Sequence, residues 1–235
     1  MKITSIRNAR YGFVDNRPLS AMSGAALIEW IVVCPLALFI ILAIIESGFW
    51  MIAKSAVNYA TFEAAREGAM GHADLTIMST AFKKAVVPFY GGGTTTEEIV
   101  QSYTAKVLPD LANSFSTLEI ISPTPASIQD FSVMEAGQLQ IPNDSLAYRS
   151  NGSGLLSGQS IQDANLLKIK VVFGYRLKMP IVRMIVIDLL KLVTTDEQAL
   201  LMYGDSRVPI VSQATVRMQS ATYNQANWKT AYGLM

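Results

Sequence analysis

Glu29 is the residue whose position most demands a chemical explanation. It lies in the stretch AALIEWIVVCPLALFIILAII, in which the sixteen residues from Trp30 to Ile45 carry no charge. An ionisable group at the centre of a membrane span costs about 2.5–3.5 kcal/mol, and less near an end, so it asks for a partner. The macrodipole at a helix N-terminus offers an anion some relief, and a full positive charge offers more. Other chemistry is thinly supplied. His72 is the single histidine and Cys34 the single cysteine. That leaves no intrachain disulfide and no zinc site built from clustered His and Cys ligands. Gly91-Gly92-Gly93 lacks the Lys-Ser/Thr ending of a phosphate loop and reads as a turn. The glycine/serine loop NGSGLLSGQ at 151–159 does not fit a nucleophile elbow, and no base for its serines is evident. The basic residues form no cluster of the kind nucleic acid needs. The expectation is therefore no enzyme activity, no cofactor, no metal, no small-molecule substrate and no nucleic-acid partner. A dispersed carboxylate site, which has no local signature, stays open.

The element that positions Glu29 is a membrane helix. The chain has 235 residues, of which 51% are apolar and 16% charged, against about 25% charged in an ordinary soluble domain. Much of the excess sits in the one run. At 1.5 Å per residue the uncharged part covers about 24 Å and the part from Ala25 about 31 Å, close to the roughly 30 Å of a bilayer core. Glu29 then lies at or just inside the edge of the hydrocarbon. Pro35 is tolerable in such a helix. The run is too long for a secretory signal core of about 7–15 residues, and Ile45-Glu46-Ser47 is a poor cleavage site. Val33 before Cys34 and Pro35 after it argue against a lipoprotein signal. Lys2, Arg7, Arg10 and Arg17 precede the span, against the single acid Asp15. The positive-inside rule puts that flank in the cytoplasm and the rest of the chain outside the inner membrane.

Gly24 stands five positions before Glu29. A basic segment, a glycine, and an acid at the fifth residue beyond it make the form of leaders cut by prepilin peptidases. Cleavage after Gly24 frees the α-amine of Ala25, whose reference pKa of about 7.7–8 keeps it largely protonated near neutrality. That ammonium would sit near the depth of Glu29, so the two charges can pair within one chain or between neighbours. The plainer alternative is an uncleaved signal anchor with a tolerated interfacial glutamate.

The runs GAALIEWIVVCPLALFIILAIIESG and AVNYATFEAAREGAM resemble the TadE-like family of the tight-adherence (Flp) pilus machinery. The features that carry the likeness are Gly24, Glu29 followed by Trp30, Pro35, Glu46 with Gly48 closing the span, and the Ala-Arg-Glu-Gly-Ala element around Arg66. LKIKVVFGYRLKMPIV and VPIVSQATVRMQSA are a weaker echo of the family's terminal strands. The resemblance implies a minor pseudopilin needed for pilus assembly. Gly24 and Ala25 would then be the processing pair, Glu29 the charge-pairing acid, and Trp30, Pro35, Glu46, Gly48 and Arg66 packing positions. The implied partners are a prepilin peptidase, other pilins and pseudopilins, and inner-membrane assembly proteins. An uncleaved membrane scaffold or binding protein of the envelope is the alternative.

Beyond the span, helix continues to about Gly71, with Ala56, Ala60 and Ala64 on one face and Tyr59 and Phe62 near it. Leu75, Met78, Phe82 and Val86 recur at helical spacing, and Pro88 and the three glycines end that helix. Thr94 with Glu97, or Thr95 with Glu98, offers a capping box for a helix running to about Phe115. The stretch 117–142 suggests short strands or irregular structure. Leu167 to Leu177 alternates cleanly, as does Val208 to Met218, so both read as strands. Pro180 to Leu192 reads as an amphipathic helix, either buried or lying on a membrane surface. The expected organisation is a basic leader over 1–24, a transmembrane helix over 25–53, and a periplasmic helix with a head over 54–235. The fold class is α+β, pilin-like, with an antiparallel-sheet head.

Overall fold

Helix α1 runs from Leu19 to Met70 and carries the apolar run through Pro35 without a break. The computed structural model describes residues 19–112, 115–135, 137–224 and 230–232, and the side chains of all these except 19–26 and 230–232. The basic flank up to Arg17 lies outside the described residues, and Gly24 and Ala25 are described in backbone only. By contacts the chain divides into two compact units, 1–41 and 42–235. In the first, the helix is bare: Ile31, Val32 and Leu36 are all well exposed. It is long and apolar enough to cross a membrane.

The second unit begins with the rest of α1. Its buried seam is Ala53, Val57, Ala60 and Ala64, all fully covered. The 4-3-4 spacing keeps these residues on one face. Ala56 is only half-buried, and Tyr59 and Phe62 face outward instead. Packing against the head starts earlier, at Glu46, Phe49 and Trp50. The span expected over 25–53 thus ends in residues that already belong to the head's core.

Helix α2 (Leu75–Val86) buries Leu75, Met78, Phe82 and Val86, and Asp74 caps its start. A 3-10 turn follows at Val87–Tyr90. Helix α3 (Thr96–Ser102) opens on a capping box of Thr95 and Glu98. It widens into a π turn at Tyr103–Val107 before α4 (Leu108–Leu111). The cause is Pro109, which has no N–H to give to the residue four back and whose ring crowds that carbonyl. The Leu108 amide reaches Tyr103 instead.

Strand β1 (Ser116–Ser122) is followed by α5 (Pro125–Phe131), β2 (Val133–Glu135), β3 (Gln138–Ile141), α6 (Ile161–Ala164) and β4 (Leu166–Arg176). Then come α7 (Pro180–Val193), α8 (Glu197–Gly204), β5 (Arg207–Arg217), β6 (Thr222–Tyr223) and β7 (Thr230–Tyr232). The main sheet has the order β5-β4-β1-β7 and the small one β2-β3-β6, with every pairing antiparallel. The fold is thus α+β. In β4 the expected inward residues Leu167, Ile169, Val171, Phe173 and Tyr175 are all buried, as is Leu177 just past its end.

Strand β4 runs antiparallel to the later part of α1. Near its start, Leu167 Cδ2 lies 3.1 Å from where a Cβ on Gly68 would stand. Near its end, Tyr175 reaches Glu46. Twenty-two residues of helix and eight of strand cover about 33 and 26 Å, and the tyrosine side chain makes up the difference. At the far end Ala69 accepts the amides of Gln219 and Ser220. There His72 stacks on Tyr223 at 3.9 Å and holds the Ala221 carbonyl through Nδ1, a clip rather than a site.

Candidate functional site

Two acids on α1 meet opposite environments. Glu29 is exposed on the bare helix and makes no hydrogen bond or ion pair among the described residues. Glu46 is 3% exposed. Its Oε1 accepts the Tyr175 hydroxyl at 3.0 Å, and its Oε2 accepts the amides of Lys178 at 3.0 Å and Met179 at 2.7 Å. A buried carboxylate is tolerable only when its lone pairs are satisfied, and here three donors meet it. Burial, then the Glu46 bond and charge, push the Tyr175 hydroxyl above its ordinary range. Lys178 sends its ammonium over the Phe49 ring at 4.5 Å, closing the same junction.

The other expected positions fall apart from it. Trp30 is exposed, as are Pro35 and Gly48. A Cβ on Gly48 would touch nothing within 4 Å, so within one chain nothing calls for a glycine there. Arg66 is exposed and lies 3.7 Å from Glu63.

Beside the junction opens a cavity of about 1010 Å³ whose lining includes Lys106, Arg176, Lys178, Arg183, Asp110 and Asp205. Arg207 also lines it, with its side chain 4% exposed. It donates to Asp110, to Asp205 at 2.8 Å and to the Gly174 carbonyl at 2.9 Å. Its guanidinium also lies 5.0 Å from the Phe115 ring. Burial works against its charge, and the two carboxylates outweigh that. Asp110 also takes the Tyr90 hydroxyl, whose pKa burial and that acid drive upward. Asp205 is held below the usual carboxylate range, chiefly by the Arg207 bond and also by Arg176. Lys106, Lys178 and Arg183 make no ion pair among the described residues. Sequence reading missed this network because Arg207 and Asp110 stand 97 positions apart. Among the described residues no three His, Cys, Asp or Glu groups cluster as metal ligands would.

The family model described as TadE-like protein matches residues 24–66. This segment is TadE-like. It begins at Gly24, contains Glu29 and Glu46, and ends at Arg66, so the TadE-like segment covers the bare helix and most of the seam that packs on the head. No curated protein and no solved structure matches the chain.

Proposed function

We propose that the chain is a membrane-anchored pseudopilin acting in assembly of a tight-adherence (Flp) pilus, a structural partner rather than an enzyme. The observation that carries this reading is the TadE-like segment, whose first residue is Gly24 and whose apolar helix stands uncovered. A bare helix face of that length is what lateral packing in a bilayer or among sister helices requires. In this reading a prepilin peptidase cuts after Gly24, and the ammonium of Ala25 answers Glu29. The anchor lies in a bacterial inner membrane with the basic flank in the cytoplasm and the head in the periplasm. Partners are other pilins, pseudopilins and inner-membrane assembly proteins.

A second reading is an uncleaved tether. The backbone favours it at one point: α1 already runs helical through Gly24 from Leu19, and extended or loop segments are the better protease substrates. Intact mass of the protein purified from the envelope decides between them. A chain starting at Ala25 supports the pseudopilin, and one starting at Met1 supports the tether. Gly24→Leu should block processing and leave a heavier band on a gel.

A further inference from the structure

We propose that the connection between β4 and β5 is an interfacial element: the uncovered apolar face of α7, extended by α8, rests in the headgroup–acyl boundary of the leaflet on the head's side. The inference depends on α1 crossing the bilayer and does not depend on any role in pili.

The position of the connection carries the argument. Strand β4 descends along α1 and ends beside Glu46, directly after the apolar run closes at Ile45. Strand β5 starts at the same end, with Arg207 paired to Arg176 and the Leu177 amide on the Ser206 carbonyl. Everything from Lys178 to Asp205 is thus inserted at the end of the head where the membrane helix enters it. Glu46 fixes the vertical register, because it holds the Lys178 and Met179 amides, and Pro180 opens α7 at once.

The chemistry of α7 fits the place. One face, with Val182 and Ile187 buried and Val186 and Leu190 half-buried, covers the head's core. The opposite face, Ile181, Ile185, Leu189 and Leu192, is exposed, Leu192 by 84%. A helix apolar on both faces needs a cover on both. Leu201 of α8 is exposed as well, by 70%. Asp188 lies on the exposed side between Met184 and Ile181, with Lys191 at its edge, where a helix lying in the interface keeps its charges; Arg183 falls between Leu190 and Ile187 on the covered side and lines the adjacent cavity. Lys106, Lys178 and Arg183, which line the adjacent cavity and make no ion pair among the described residues, would face headgroup phosphates.

Nitroxide scanning of the full chain in nanodiscs, one molecule per disc, tests this. A label on the native Cys34 reports the span. In a Cys34→Ser background, labels at Ile185→Cys and Leu189→Cys report α7, and Tyr148→Cys, 94% exposed in a different part of the head, serves as an aqueous control. The expected result is a deep Cys34 label, and α7 labels that collide with oxygen more than with a water-soluble nickel chelate, at a shallow, shared depth. Aqueous α7 labels with a deep Cys34 overturn the inference and leave the span standing. Labels shielded from both probes overturn it in favour of a protein cover. An aqueous Cys34 overturns the span and the inference together.

Discussion

The contrast between Glu29 and Glu46 shows what a carboxylate does in one helix under two fields. Glu46 answers three donors inside the protein, so Glu46→Ala strands all three and should cost about 3 kcal/mol in thermal unfolding of the solubilised chain. Tyr175→Phe removes one bond of the set, and about 1 kcal/mol is expected. A double variant no worse than Glu46→Ala alone would confirm that the hydroxyl acts through the carboxylate. Asp205 gives the pH signature. Its folded pKa is depressed, so its contribution is fully present above the unfolded value and is lost as pH falls through the folded one. Asp205→Asn should be less stable than the parent at pH 7, and the gap should narrow on acidification below about pH 4. The sequence announces both glutamates by their place around an apolar run. It hides the role of Glu46, because the Tyr175 partner stands 129 positions away and the other two are backbone amides, which no residue type reveals.

Among the elements, legibility followed period and length. β4 and β5 were readable because eleven residues each give several alternations. Helices α5, α6 and α8, of seven, four and eight residues, are too short for a 3.6-residue period to register. Capping residues were the available signal: Thr124-Pro125 with Ser127, and Ser160 with Asp163, both form boxes. The π turn was hidden in a run that looks helical, though Pro109 marked it. Amphipathic α7 was readable, but which of its faces lacks a cover depends on where the chain folds back. Gly174 tests the sheet: its amide bonds the Phe115 carbonyl at 2.9 Å, and an added Cβ would stand 2.9 Å from that oxygen. Gly174→Ala should push β4 away and cost about 1–3 kcal/mol, measured by denaturant titration.

For the molecule as a whole, the anchor and the head raise separate questions, and a variant should move one without the other. Glu29→Ala removes an acid exposed on the bare helix, so membrane partition and head unfolding should match the parent, while assembly with partners falls. Fractionation, thermal unfolding and a count of piliated cells measure the three; unchanged piliation would count against the charge-pairing account. The α+β class was legible from the alternation of periods along the chain. The strand order was not, since β7 comes from a three-residue segment, Thr230–Tyr232, with no pattern of its own.

That small strand has an outsized consequence. Thr230–Tyr232 pairs with Glu119–Thr117 along the outer side of β1, and in its absence a row of main-chain donors and acceptors would stand open to any extended peptide. A version halted at Asn224 would therefore be self-complementary: each molecule would offer an open β1 edge that can pair with the same edge of a neighbour. Light scattering should find such truncated chains sticking together under conditions where the full sequence remains dispersed.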